Sequence, residues 1–249
     1  MTASVVPNSE AHHRLTRSRR RAGLSRLQHV ACALGLVLGV SSASVAVPLI
    51  QSGLAGFQTE RVLNAWSEKA DLPPAHLWDQ LLQRAEGSVS TFPALSGEYL
   101  DRLGRVQAWG ALIEPENAEH WQRAAASFRA STQVRPAWPW SWLRLAHAKL
   151  QAGERDAEFD HAWQEAARLG HGRLELNRDL ARIGFDSWRL LTIEQRALAL
   201  QAAERVVARN EQHAKDMQRV AQAAGVGPAL CWSVDASIQT RHHICKEEG

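Results

Sequence analysis

The strongest constraint on this chain is an uncharged apolar run near its N-terminus. The run covers 21 residues, from Val30 to Ile50. As a helix it would be roughly 31 Å long, which matches the ~30 Å hydrocarbon core of a bilayer. The pattern therefore predicts a single transmembrane anchor over residues 27–50, preceded by a basic tail over residues 1–26.

Positive charge is distributed asymmetrically about the predicted span. Six arginines precede it, whereas only Arg61 and Lys69 are positive in the twenty residues that follow. The positive-inside rule then places the N-terminus in the cytoplasm. For a bacterial protein this predicts an inner-membrane location, a periplasmic domain over residues 51–228 and a C-terminal tail over residues 229–249. The six arginines are Arg14, Arg17, Arg19, Arg20, Arg21 and Arg26.

The apolar run also has the small residues that a cleaved signal peptide needs, at Ser44-Val45-Ala46. The long basic leader and the length of the run favour an uncleaved anchor. Within the run, Gly35, Gly39 and Ala43 form a stripe of small residues that permits close helix approach and a homodimer in lipid. Such stripes also occur by chance, so the stripe leaves the oligomeric state open.

The net charge of +3 does not indicate nucleic-acid binding. The excess of positive charge comes from the N-terminal arginines, and beyond residue 50 acidic residues slightly outnumber basic ones. A nucleic-acid interface needs a basic patch on the folded domain. We therefore expect no nucleic-acid partner.

Beyond the span, apolar residues recur at helical spacing, and no convincing strand alternation is present. Proline and glycine clusters separate the periodic segments, which predicts short connections between antiparallel helices. The fold class is therefore all-α, as a bundle or an α-solenoid of helical hairpins. Further helices are predicted over about 54–69, 75–86 and 96–113. The predicted buried faces are Trp121, Ala124, Ala125, Phe128 and Thr132; Trp142, Leu145, Ala146 and Leu150; Phe159, Ala162, Trp163, Ala166 and Gly170; Ile193, Ala197, Leu200 and Val207; and Met217, Val220, Ala221 and Ala224.

One of these hairpins fits the tetratricopeptide repeat pattern. Trp142, Leu145 and Ala146 occupy the first three positions of that pattern, and Gly153 falls at the turn. The second helix follows with small residues that let two backbones approach closely. A tetratricopeptide-like solenoid is the preferred interpretation, and a simple helical hairpin is the alternative.

The most unusual local sequence is the segment from Arg135 to Trp142, which we call the tryptophan corner. Trp138, Trp140 and Trp142 alternate with Pro136, Pro139 and Ser141, so the three rings cannot share one helix face. Trp138 precedes a proline and should be extended, whereas Pro139 suits the first turn of a helix. The segment is either a rigid corner that seals two helix pairs or an aromatic surface for a protein or a sugar ring. The partner-binding or corner candidates are Arg135, Trp138, Trp140 and Trp142.

Three cysteines have different expected roles. Cys32 lies in the predicted span as a small apolar residue. Cys231 and Cys245 would lie in an oxidising compartment, where a disulfide would close a loop of about 15 residues and contribute roughly 3 kcal/mol. It would fasten a tail that shows no helical periodicity. His242 and His243 lie near Cys245, but no second ligand pair supports a zinc site.

The sequence offers no clear catalytic constellation. It contains no nucleophile elbow, no phosphate loop and no dinucleotide fingerprint, and Gly225-Val226-Gly227 precedes Pro228, with no helix expected there. Asp156, Glu158 and Asp160 form an acidic cluster that we interpret as the negatively charged start of a helix. We therefore name no catalytic, cofactor-binding or metal-binding residue.

The segment from Arg135 to about Leu191 resembles the VpsP-type proteins encoded with bacterial exopolysaccharide biosynthesis systems. It is also similar to tetratricopeptide-like segments attached to some O-antigen ligases. After Leu169-Gly170 that family tends to have Pro-Trp-Glu-Pro, whereas this chain has His171-Gly172-Arg173-Leu174. The residues that match are Arg135-Pro136-Ala137-Trp138-Pro139, Trp142, Leu145-Ala146, Asp156-Ala157-Glu158-Phe159, Ala162, Ala166, Leu169-Gly170, Gly184, Trp188 and Leu191.

The resemblance implies an accessory role in making or exporting polysaccharide, with no known reaction. We expect a membrane-anchored scaffold whose partner is a polymerase, copolymerase or exporter, and no cofactor. Two alternatives remain: a polysaccharide-modifying enzyme, for which Asp156 and Asp160 are the first carboxylates to mutate, and an envelope or cell-division scaffold unrelated to exopolysaccharide.

Overall fold

A computed structural model describes the backbone of residues 11–68, 71–92 and 94–245, with side chains from residue 27 onward. The described residues contain eleven α-helices and no strand, which confirms the predicted all-α class. The helices are α1 Ala11–Ser67, α2 Ala75–Thr91, α3 Gly97–Ile113, α4 Glu119–Val134, α5 Pro139–Gln151, α6 Ala157–Leu169, α7 Leu174–Asp186, α8 Ile193–Val207, α9 Glu211–Ala223, α10 Gly227–Ser233 and α11 Ala236–His242.

The chain divides into two compact units between Gln51 and Ser52. The first unit contains most of α1, whose segment from Leu27 onward is long and apolar enough to cross a membrane. Its valine and leucine side chains are largely exposed. Ideal Cβ atoms on Gly35 and Gly39 would meet nothing within 4 Å. Residues 1–10 of the predicted basic tail lie outside the described residues.

The second unit is a stack of helical hairpins. Each helix from α2 to α6 packs mainly against its neighbours in sequence, and α7 pairs with α8. Successive hairpins then stack, because α5 also contacts α7 and α6 also contacts α8. This arrangement places α3, α5 and α7, the first helices of successive pairs, along one side of the stack, as the predicted hairpin architecture requires.

The core of the stack centres on α6, where the sequence periodicity predicted it. Phe159, Ala162, Trp163 and Ala166 are fully buried. The indole N–H of Trp163 donates to the carbonyl of Gln195 at 3.2 Å, so the largest buried side chain also satisfies its polar atom. A smaller cluster near the start of the unit contains Leu63, Trp66, Trp78, Leu81, Ala85 and Val106.

The predicted face of α8 is wrong at Ile193 and Ala197 and correct at Val207, which is fully buried. Ile193 is 79% exposed and Ala197 is also exposed, whereas Ala199 and Ala202 are buried. The reason is the close approach of α7 and α8, where a Cβ on Gly184 would lie only 2.4 Å from the Cβ of Ala199. Alanines are therefore buried along the middle of α8, and Val206 and Val207 are buried at its end.

The C-terminal tail is helical, contrary to expectation. Pro228 lies in the first turn of α10, so the predicted domain boundary after residue 228 falls inside a helix. Leu230 and Ile244 are buried against the main core. Cys231 and Cys245 form the disulfide at a Cα–Cα distance of 5.5 Å, so it links two segments that pack on the core.

Candidate functional site

The tryptophan corner forms the connection between α4 and α5. Trp138 is extended, with φ −95° and ψ 103°, and Pro139 occupies the first turn of α5. The guanidinium of Arg135 lies 4.7 Å from the centroid of the Trp138 ring. The guanidinium of Arg173, just before α7, lies 5.3 Å from the same ring. The corner thus brings together two arginines that are far apart in sequence.

Trp142 secures the corner and does not form the centre of the core. Its indole N–H donates to the carbonyl of Pro136 at 2.7 Å, and its ring packs edge-on against His161 at 5.1 Å. The side chain is half-buried, so the expectation that Trp142 begins the buried face of α5 is wrong. Leu143, Leu145 and Ala146 are the buried apolar residues at that point.

A cleft of about 330 Å³ opens beside the corner; we call it the corner cleft. Its walls carry charged residues from α1, α3 and α5. Arg102 and Arg105 bond to Glu60 at 3.0 and 2.8 Å, and Arg144 bonds to Asp101. The lining residues are Glu60, Glu98, Asp101, Arg102, Arg105, Arg135, Trp138, Trp140 and Arg144.

A second cleft, of about 390 Å³, lies between α5 and α7; we call it the α5–α7 cleft. Its helical walls present residues three or four positions apart, so they share one face of each helix. Burial raises the pKa of Asp179 and lowers the pKa of His147, which favours the neutral form of each. The lining residues are Trp140, Leu143, Arg144 and His147 from α5, and Asp179, Arg182, Ile183 and Asp186 from α7.

A third cleft, of about 210 Å³, lies between α3 and α5 and is more aromatic. Trp109, Trp121 and Phe128 line it, together with Arg144 and His147. Since Arg144 and His147 also line the α5–α7 cleft, this half-buried face of α5 contributes to clefts on both of its sides. Trp140 likewise contributes to both the α5–α7 cleft and the corner cleft.

The acidic cluster at the start of α6 is engaged inside the fold. Asp156 caps α6 by accepting from the backbone N–H of Phe159 at 3.0 Å. Asp160 accepts a hydrogen bond from the side chain of Gln195. Glu158 pairs with Arg129 and Lys149. These contacts agree with the interpretation that the cluster opens a helix.

Lys149 is the buried cation of this cluster, with its side chain 2% exposed. Its ammonium lies 2.8 Å from Glu154, 3.0 Å from Asp156 and 2.8 Å from Glu158. Burial lowers the pKa of Lys149, but the hydrogen bonds to the three carboxylates outweigh it, and the pKa lies above its usual value. We call this group the Lys149 cluster.

Several of the residues that shape these sites are not indicated by the sequence pattern. Arg173 lies in a loop, and only the tertiary structure brings it to Trp138. Asp179 and Arg182 belong to α7, a helix that the sequence interpretation did not assign. Leu176, Leu180, Ala181 and Phe185 are buried at helical spacing, so a signal for α7 was present. No group of three His, Cys, Asp or Glu side chains in the part that the structure describes is arranged to hold a metal ion.

Comparison with protein-family models and with curated proteins finds no match for this chain.

Proposed function

We propose that this protein is a membrane-anchored adaptor of a bacterial exopolysaccharide machine and acts by binding a partner protein. The observation behind the proposal is a half-buried face of α5, which carries Trp140, Arg144 and His147 and contributes to clefts on both sides. Tryptophan and arginine are enriched among residues that dominate binding energy. The assignment to exopolysaccharide rests on the resemblance of the segment from Arg135 to Leu191.

The α5–α7 cleft suits a segment of a partner better than a catalytic reaction. Its walls combine aromatic and aliphatic surface with both signs of charge, through Trp140, Ile183, Arg182 and Asp186. A bound segment would desolvate Trp140 and pair with charges at the rim, which together give affinity and orientation. The partner we propose is a polymerase, copolymerase or exporter.

The membrane helix would make this binding effective even at modest affinity. A single span confines the adaptor and a membrane-embedded partner to the same bilayer, which raises their effective concentration. The arginines before the span support a cytoplasmic N-terminus and a periplasmic helical domain. An alkaline phosphatase fusion after residue 249 should then be active and one after residue 25 inactive; the reverse result would invert the proposed topology.

The central test is site-specific photo-crosslinking in cells. A benzoylphenylalanine at Ile183, which lines the α5–α7 cleft, should crosslink to a polysaccharide polymerase, copolymerase or exporter. The matched control is the same group at Gln201, an exposed position on α8 that lines none of the three clefts. It should give no such product.

The identity of the crosslinked protein decides between the alternatives. A cell-division or peptidoglycan protein captured at Ile183 would refute the exopolysaccharide assignment and retain the adaptor role. Equal capture at both positions would refute the cleft as the binding surface. If neither position yields a partner, the adaptor proposal fails, and assays for polymer modification by the purified protein become the next step.

A further inference from the structure

The residues that line the corner cleft include more arginines than carboxylates. Glu60 and Asp101 are each already engaged by arginine from a neighbouring helix: Glu60 by Arg102 and Arg105, and Asp101 by Arg144. Glu98 likewise pairs with Arg102. The cleft therefore holds no carboxylate to neutralise a further cation.

Arg135 is the cation left over among the residues that line the cleft, and Arg173 lies outside that lining but against the same Trp138 ring. Within the described residues, neither guanidinium forms an ion pair with a carboxylate, and both lie within 5.3 Å of the centroid of the Trp138 ring. The α5 helix that follows has no acidic residue in its first turn. Two guanidinium groups near one ring leave positive charge there without a carboxylate, and an anion bound beside them would neutralise it.

We propose that the corner cleft binds the carboxylate of an acidic sugar unit in an anionic polysaccharide. A guanidinium binds a carboxylate through two parallel hydrogen bonds, and two arginines can approach the group from different sides. Trp138 and Trp140 border the same cleft and offer aromatic surface to the apolar face of a sugar ring. The choice of a sugar over another carboxylate rests on the proposed function in exopolysaccharide assembly.

The size of the cleft fits this ligand. At about 330 Å³ it lies at the small end of ligand-binding pockets, which suits one or two sugar units and not a folded partner. Most of its lining residues differ from those of the α5–α7 cleft, because the two clefts share only Trp140 and Arg144.

The test is isothermal titration of the full-length protein in detergent micelles with trigalacturonate. We expect binding that weakens as salt is raised, and at least tenfold weaker binding of a neutral galactose trimer. Arg135→Gln and Arg173→Gln should each weaken trigalacturonate binding about tenfold, the usual effect of one charge-assisted hydrogen bond. Arg209→Gln is the matched control, since Arg209 is an exposed arginine that lines none of these clefts, and it should bind normally.

A second substitution guards against misfolding at Arg135, whose aliphatic stem lies close to Gly97. Arg135→Lys keeps a similar stem and the charge but loses the planar fork, so we expect binding intermediate between the wild type and Arg135→Gln. Circular dichroism of each variant should match the wild type.

Three results would overturn the proposal. If trigalacturonate does not bind, or binds no better than the neutral trimer, the cleft is not an acidic-sugar site. If a hexaglutamate peptide binds as tightly as trigalacturonate and depends on the same arginines, the ligand is an acidic protein segment. Failure here leaves the crosslinking test at Ile183 unaffected, so the two proposals fail separately.

Discussion

The Lys149 cluster and the tryptophan corner lie at opposite ends of α5, and they differ in whether their cations are paired with carboxylates. At the C-terminal end of the helix, one buried cation meets three carboxylates within 3.0 Å. At the N-terminal end, Arg135 and Arg173 share one aromatic ring and have no carboxylate partner in the described residues. The first group is satisfied within the fold, whereas the second is left open to a ligand.

Because of this difference, we expect the Lys149 cluster to stabilise the fold and the tryptophan corner to serve in binding. A buried charge that loses its partner is costly, so the Lys149 cluster should matter for folding of the α5–α6 hairpin. A half-exposed arginine on an aromatic ring contributes little to stability because water can replace its contacts. Mutations in the Lys149 cluster should therefore change the stability of the fold, whereas mutations of the arginines at the tryptophan corner should change ligand binding and leave stability nearly unchanged.

The largest expected effect is at Lys149. Lys149→Ala removes a side chain that is only 2% exposed, together with its three ion pairs, and should lower the free energy of unfolding by about 2–3 kcal/mol. The measurement is urea unfolding of the full-length protein in detergent, followed by tryptophan fluorescence. Lys215→Ala is the matched control, since Lys215 makes an exposed pair with Glu211, and should cost no more than about 0.5 kcal/mol. Equal effects of the two substitutions would show that the Lys149 cluster is not a stabilising element.

The second effect concerns Asp156, which both caps α6 and pairs with Lys149. Asp156→Ala should lower the free energy of unfolding by about 1–2 kcal/mol, because it removes the cap and a carboxylate together. Asp156→Asn retains a capping oxygen and should lose clearly less. The same urea titration compares them, and equal losses would assign the whole effect to charge.

The third effect is a dependence of stability on pH. The hydrogen bond from Arg129 lowers the pKa of Glu158 to about 2, with help from Lys149. A pKa lowered by folding gives stability that is complete above the ordinary value of 4.5 and is lost as pH falls from there toward 2. We expect a contribution on the order of 1 kcal/mol, because solvent screens a carboxylate that is a third exposed.

Glu158→Gln tests this dependence directly. The variant should be less stable than the wild type at pH 7, and the gap should narrow at pH 3. A gap that is unchanged between these two pH values would contradict the assigned role of Glu158.

The smallest effect on stability is expected at the corner. Arg173→Gln should change the free energy of unfolding by no more than about 0.5 kcal/mol, because Arg173 is exposed and loses only its contact with Trp138. Arg173→Glu brings a carboxylate close to Arg135 and should be at least as stable as Arg173→Gln. A loss above 2 kcal/mol in either variant would make the corner a structural element like the Lys149 cluster.

The sequence predicts the presence of a helix more reliably than it predicts which face of that helix is buried. The buried face of α6 was predicted correctly because its large residues, Phe159 and Trp163, point to the core. The face of α8 is wrong at Ile193 and Ala197 because the apolar residues buried in the middle of the helix are alanines, whereas Ile193 is exposed. Where packing depends on close backbone approach, hydrophobic size no longer indicates the buried side.

The candidate site shows the same limit. Trp138 and Pro139 predicted an extended residue followed by a helix start, which the structure has. Arg173 could not be linked to this corner from the sequence, because it lies in a loop 35 positions after Trp138. The C-terminal helices were missed because α10 and α11 have only seven residues each, too few for a clear period.

The sequence alone determined the all-α class, the apolar helix long enough to span a membrane and the local geometry of the tryptophan corner, since each depends on neighbouring residues. Tertiary structure decided which cations are neutralised by carboxylates and which have no carboxylate partner among the described residues. Lys149 has its partners within nine positions along the chain, whereas Arg135 and Arg173 are brought together by the stacking of α5 on α7. Interactions between distant charges depend on that stacking, and the sequence pattern does not encode it locally.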